Sequence, residues 1–137
     1  MKVMIVDNDL TYLGLLSEVL VLHGYKVVAA RDGEEALAKL NESGVDFIIS
    51  DISMPKMNGL DLHRNVRQNP KFKHLPFAWN SIYRELRDAA EVEDPSIDLT
   101  MEKSMPVPEL LSLLNRFASV RQRTGNITEL RPLGSTI

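Results

Sequence analysis

Short apolar and β-branched runs alternate along the chain with longer stretches in which apolar residues recur at helical spacing. The runs at 2–6, 25–30, 45–50, 75–79 and 97–101 are predicted strands, and the third is apolar almost throughout, which suits a strand covered on both faces. After the first strand, Leu13, Leu16 and Leu20 recur at i, i+3 and i+7. Ala36, Leu37 and Leu40 repeat the pattern more briefly, so both segments read as amphipathic helices with one packed face. A third helix is predicted from Asn58 or Gly59 to about Gln68, where Asn69-Pro70 stops it. A fourth covers Ile82 to Glu91, and a fifth runs from Pro108 through Leu110, Leu111, Leu114 and Phe117.

Turn and cap residues agree with these boundaries. Gly24 follows His23 where a helix end commonly needs a left-handed residue. Asp32-Gly33-Glu34-Glu35 reads as a capping box, with Asp32 on an early N–H and Glu35 reaching back. Five strands alternating with five helices make a (βα)5 unit, an α/β protein with a parallel sheet and helices on both faces. After Phe117 the apolar period stops and Arg121-Gln122-Arg123-Thr124-Gly125-Asn126 is polar. The expected organisation is therefore a domain over 1–118 and a mobile tail or linker over 119–137, with Pro132-Leu133-Gly134 arguing against a long terminal helix.

Composition narrows the function classes. At 137 residues the chain fits one domain, and 44% hydrophobic with 26% charged residues is ordinary for a globular protein. The formal net charge of −3 gives nucleic acid no electrostatic attraction. Without cysteine there are no disulfides, thiolate nucleophiles or cysteine metal sites. No apolar stretch reaches the roughly 18 residues that span a bilayer, and Met1-Lys2-Val3 opens directly into a strand without a secretory leader, so a cytoplasmic location with no membrane contact is expected. His23, His63 and His74 show no ligand spacing and are assigned to neither metal nor catalysis.

The candidate chemistry is acidic. Asp51 ends the run Phe47-Ile48-Ile49-Ser50 and opens Asp51-Ile52-Ser53-Met54-Pro55-Lys56-Met57-Asn58-Gly59, and Asp7-Asn8-Asp9 follows the run Val3-Met4-Ile5-Val6. Ligands of open α/β sheets bind beyond the carboxyl ends of the strands. Asp7, Asp9, Asp51, Ser81 and Lys103 all fall at or just past such ends, so the topology delivers them to one edge.

These residues resemble the receiver domain of two-component response regulators over about residues 1 to 118. The resemblance rests on Asp51-x-x-Met54-Pro55-x-Met57-x-Gly59, on Val6-Asp7-Asn8-Asp9 and on Lys103 after the fifth strand. It implies a flavodoxin-like, doubly wound five-stranded sheet in the order 2-1-3-4-5. It also implies that Asp51 accepts a phosphoryl group from the phosphohistidine of a sensor histidine kinase or histidine phosphotransfer protein. The expected cofactor is Mg²⁺, held by Asp7, Asp51 and the backbone carbonyl of Ser53, with Asn8 and Asp9 as further candidate ligands. Lys103 is the expected cationic partner and Ser81 the switch hydroxyl. The resemblance further implies weak self-phosphorylation and autodephosphorylation, and binding of a downstream protein or output domain through the face of the fourth helix, fifth strand and fifth helix. Phosphorylation-dependent homodimerisation is also expected.

Three positions depart from the family pattern. Asn8 stands where a second acid is usual, and Thr100 where an aromatic commonly swings with the switch hydroxyl; Tyr83 is the nearest substitute, although its position past Ser81 predicts the surface of the fourth helix. Ser104 replaces the proline that normally follows the lysine through a cis peptide, so Lys103-Ser104 is either cis or part of a rebuilt loop. Trp79, the single tryptophan, is expected beside the site. Two alternatives remain. One is a degenerate receiver that serves as a phosphorylation-independent interaction module. The other is a haloacid-dehalogenase-type phosphatase, suggested by Asp7-Asn8-Asp9-Leu10-Thr11, with Asp7 as nucleophile and Asp9 as acid/base.

Overall fold

A computed structural model describes residues 1–130 of the chain, with side chains through residue 119. The elements, in chain order, are β1 (Lys2–Val6), α1 (Leu10–Leu22), β2 (Lys26–Ala30), α2 (Gly33–Ser43), β3 (Phe47–Ser50), α3 (Gly59–Gln68), β4 (Phe77–Ser81), α4 (Arg84–Asp88), β5 (Asp98–Glu102) and α5 (Val107–Leu130). They fall into two compact units, Met1–Ser104 and a second that begins at Met105.

The first unit is built on one parallel sheet in the order β2-β1-β3-β4-β5. Apart from Lys2 at the start of β1, its central strands carry no polar residue until their carboxyl ends, because both faces are covered. Met4, Val6, Ile48, Phe77 and Trp79 share a core cluster with Ala36 and Leu40 of α2 and with Leu62 and Val66 of α3. Alternation along the strands sends Val3, Ile5 and Phe47, all fully buried, to the opposite face. There α1 lies against β1 and β2 and buries Leu13, Leu16 and Leu20. Among the described residues no helix is long and apolar enough to cross a membrane.

Local chemistry starts and stops the helices largely as the pattern predicts. Asp9 caps α1 by accepting from the N–H groups of Thr11 and Tyr12 at 3.1 and 3.2 Å. Gly24 takes φ 91°, a left-handed conformation open to glycine at no steric cost. Asn58 caps α3 by accepting from the Asp61 N–H at 2.9 Å. Asp32 caps α2 in the same way at 2.8 Å. The capping box is only half formed: the Glu35 carboxylate pairs with Arg31 and Lys39 at 3.1 and 3.0 Å along the helix surface.

Besides shifts of one or two residues at the starts of β2, β3 and α5, four boundaries differ from expectation. β4 lies two residues further along than predicted, because the carbonyls of Phe72 and Leu75 accept from the Arg67 guanidinium and hold the approach to the strand as a turn. β5 starts one residue late, where the N–H groups of Ile97 and Asp98 both donate to the Asp94 carbonyl. α4 covers only Arg84–Asp88, not Ile82 to Glu91. No side chain caps its start at Tyr83, and beyond it the N–H groups of Glu93 and Asp94 donate to the Asp98 carboxylate at 3.0 Å each, which turns the chain into a loop. The fourth difference is in the second unit, where α5 runs unbroken past position 118 to Leu130, so the tail expected from 119 is helical that far. Pro132-Leu133-Gly134 lies outside the described residues.

Candidate functional site: an acidic pair bridged by Lys103

The register of the sheet brings the two acidic clusters together. β1 and β3 pair Val6 with Ser50, and the Asp51 N–H donates to the Val6 carbonyl at 2.8 Å, so Asp7 and Asp51 leave adjacent strands side by side. Asp7 is 1% and Asp51 8% exposed, and two buried carboxylates at this spacing need a counter-charge. Lys103, just past β5, supplies it. Its ammonium lies 2.7 Å from Asp7 Oδ2 and 3.3 Å from Asp51 Oδ2. The remaining carboxylate oxygens are occupied by backbone: Asp7 Oδ1 accepts from the Asp9 N–H at 2.9 Å, and Asp51 Oδ1 from the Ile52 N–H at 2.8 Å.

The segment after Asp51 fits closely around it. Gly59 donates its N–H to the Ile52 carbonyl at 2.8 Å, and a Cβ at Gly59 would collide with the Asp51 carbonyl oxygen, so only glycine fits at this end of the motif. Lys56 takes φ 67°, unusual for a residue with a side chain, in a turn closed by the Met57 N–H on the Pro55 carbonyl.

Burial, followed by the neighbouring charge of Asp7, raises the Asp51 carboxyl above the ordinary aspartate value, against the opposing pull of Lys103 and the Ile52 N–H. Burial alone would lower the Lys103 ammonium, but the hydrogen bond and charge of Asp7, together with Asp51, raise it, so it stays protonated at neutral pH.

The other expected participants divide. Ser81 is the last residue of β4 and fully buried, and its Oγ accepts from the Tyr83 N–H at 3.1 Å, the local turn role of a strand-end hydroxyl. Ser53 is exposed next to the acid pair in sequence. Asn8 is exposed, and Asp9 spends its carboxylate on the α1 cap, so the acidic cluster reduces to the pair Asp7 and Asp51. Among the described residues no group of three or more His, Cys, Asp or Glu side chains could hold a metal. Occupied at the helix start, Asp9 is also unsuited to the acid/base role that the phosphatase alternative required. The described residues contain no cis peptide bond, so Lys103-Ser104 is trans and forms a turn. Thr100 and Tyr83 are both exposed, and neither takes the place of a buried aromatic.

Trp79 lies on the α3 side of the sheet, fully buried against His63 and Phe77, with its Nε1–H donating to the Gly59 carbonyl at 3.0 Å. It therefore meets the site through Gly59 and not directly.

Two features escaped the sequence reading. Tyr12, in the first turn of α1, places its ring 4.8 Å from the Lys103 ammonium and bonds Asn80. The available signal was Asn80 itself, a polar residue directly after the apolar run Phe77-Ala78-Trp79 of a buried strand, where burial demands a partner. The second is a buried cluster in which His63 and Arg67, neighbours on α3, meet Asp98 35 and 31 positions further along the chain, a separation that offers no local pattern.

The parallel sheet in the order β2-β1-β3-β4-β5, with a buried acid pair and a lysine at its carboxyl edge, makes a flavodoxin-like α/β domain with a charged site beyond its strand ends. The model of the response regulator receiver domain matches residues 3–115, and the chain belongs to that family. It is 42% identical to the transcriptional regulatory protein CpxR homolog of Haemophilus influenzae over 140 aligned positions, which cover 99% of this chain and 60% of that protein. It is 45% identical to CpxR of Klebsiella pneumoniae over 67 positions, 49% of this chain and 28% of that protein. The chain thus spans only part of the length of these relatives. Among solved structures, the response regulator TrrA of Thermotoga maritima in complex with Mg²⁺-BeF superposes with a TM-score of 0.75 at 28% identity, covering 85% of this chain and 97% of that one. Receiver domains as a family bind Mg²⁺ and interact with sensor histidine kinases and output domains.

Proposed function

We propose that Asp51 is the phosphoacceptor, taking a phosphoryl group from the phosphohistidine of a sensor histidine kinase in a Mg²⁺-dependent reaction, and that the acyl phosphate changes affinity for a downstream partner. The observation that carries this reading is the pair of buried carboxylates sharing one lysine at the sheet edge. An Asp51 oxygen attacks phosphorus, the P–N bond of the donor breaks, and its electron pair returns to the imidazole nitrogen. Burial and Asp7 make the Asp51 carboxylate a stronger base than a solvated one, which favours attack. Lys103, still protonated, offers its N–H donors to the phosphoryl oxygens.

The donor set fits Mg²⁺, a hard ion that uses one or two carboxylates and keeps several waters. Asp7, Asp51 and the Ser53 carbonyl would hold it, without Asn8 or Asp9. When bound it neutralises phosphoryl charge beside the two acids.

Incubation of the protein with Mg²⁺ and acetyl phosphate is expected to give a mass gain of one phosphoryl group that chelation by EDTA prevents. No adduct under any condition, with Trp79 fluorescence flat in Mg²⁺, would leave an interaction module in place of a switch. A second expectation concerns Lys103, whose ammonium already stands between the acids. Lys103→Met is expected to tighten Mg²⁺ binding about tenfold in a fluorescence titration, since the ion no longer competes with a charge at hydrogen-bond distance. An unchanged affinity would show that ion and ammonium occupy different places.

A further inference from the structure

Lys103 is held by more than its two acids. The Tyr12 ring lies under the ammonium at 4.8 Å from its centroid, within the range of a cation–π attraction. The ring is itself anchored, because the Tyr12 hydroxyl accepts from Asn80 Nδ2 at 2.7 Å across 68 positions of chain. Asn80 is 3% exposed and follows Trp79, which pairs with Ser50, the residue before Asp51. Its Oδ1 is buried without a hydrogen-bond partner among the described residues. An amide half-satisfied near the carboxyl end of a buried strand costs stability, so its presence calls for a task.

We infer that Tyr12, anchored by Asn80, is a positioning residue that holds the Lys103 ammonium over the acid pair; the inference rests on Asp51 being the phosphoacceptor. A lysine stem is flexible, and the attraction of Asp51 for it changes when that carboxylate becomes an acyl phosphate. The face of a neutral ring attracts the ammonium whatever the chemical state of Asp51, and it leaves the N–H donors free. Burial first, and the acids after it, raise the Tyr12 hydroxyl above its ordinary value, so the ring stays a neutral phenol and adds no third anion. The device exists only where an aromatic on α1 and a polar residue in β4 occur together.

The test is a double-mutant cycle on the whole chain, read by the rate of acetyl phosphate labelling in Mg²⁺ and, separately, by chemical denaturation. Tyr12→Leu is expected to slow labelling about tenfold in the wild-type background and to change nothing further in Lys103→Met. Tyr12→Phe, which keeps the ring but loses the Asn80 anchor, should recover part of the rate, between Tyr12→Leu and wild type. Tyr12→Met replaces the leucine variant if that one does not fold. An equal factor in both backgrounds, the signature of a merely structural tyrosine, overturns the inference, as does a wild-type rate in Tyr12→Leu. If the wild-type protein takes no phosphoryl group, the phosphoacceptor reading falls and the use of Tyr12 in the reaction falls with it. The denaturation cycle still decides whether Tyr12 holds Lys103, and zero coupling there overturns the contact itself.

Discussion

Asp51→Asn is expected to abolish phosphoryl labelling and, in the same molecule, to stabilise the fold at neutral pH. The first effect follows because a neutral amide has no carboxylate to attack phosphorus. The second follows from the sign of the Asp51 perturbation. Its folded value lies above the unfolded one, so the folded state holds the proton more tightly, and stability falls as pH rises from the ordinary aspartate range through the raised value. At neutral pH the ionised, buried carboxylate beside Asp7 therefore works against folding. Asparagine removes that charge and leaves the 2.7 Å pair of Lys103 with Asp7 in place. The gain is expected to be on the order of 1 kcal/mol, typical of relieving a functional site. Denaturation curves from pH 7 downward provide the check: the difference between variant and wild type should shrink as pH falls and Asp51 takes up its proton. A variant less stable than wild type at pH 7 would show that the Lys103 pairing outweighs burial and repulsion.

Asp98→Ala is expected to be the most damaging substitution outside the site, costing about 3–5 kcal/mol. Its carboxylate is fully buried and collects His63 Nε2 at 2.8 Å and Arg67 Nη2 at 2.5 Å on one oxygen, and the N–H groups of Glu93 and Asp94 on the other. Alanine would leave the buried Arg67 guanidinium without its counter-charge and two backbone donors without an acceptor. Against a total stability of roughly 5–15 kcal/mol for a domain, that loss approaches unfolding. Burial alone would raise the Asp98 carboxyl, but the Asp94 N–H, Arg67 and His63 outweigh it and lower the value from 3.8 to about 2. With the folded value depressed, the contribution is fully present above about pH 4 and is lost as pH falls toward 2, a span worth about 2 kcal/mol. The midpoint of urea denaturation measures both effects. A change below about 1 kcal/mol in Asp98→Ala would mean that water satisfies the cluster.

Asp98 also shows why the α4 region was illegible. Read locally, Ile82 to Glu91 has adequate helix formers, but the backbone donors that shape the following loop are taken by a carboxylate from β5. After Phe117 the helix α5 continues beyond its apolar period. A polar run suggested a tail, yet backbone bonding in a helix needs no apolar face, and no proline intervenes between Pro108 and Pro132.

What the sequence alone determined is the set of features that local pattern encodes. Strand runs with an unbroken apolar character, helix faces at 3.6 spacing, the cap at Asp32, the start of α3 at Asn58 or Gly59 and the glycine at Gly24 are each legible within a few residues. So was the placing of Asp7, Asp51 and Lys103 at strand ends, because the (βα)5 order puts all carboxyl ends on one edge. Only the tertiary structure decided which side chains meet there. Asp9 and Asp7 are two positions apart, yet one caps α1 and the other pairs with Lys103. Tyr12 reaches Asn80, and His63 reaches Asp98, across chain separations that no periodicity records. Such contacts form because burying a charge or a hydroxyl is costly without a partner, and the partner is whatever the packed fold brings within hydrogen-bond distance.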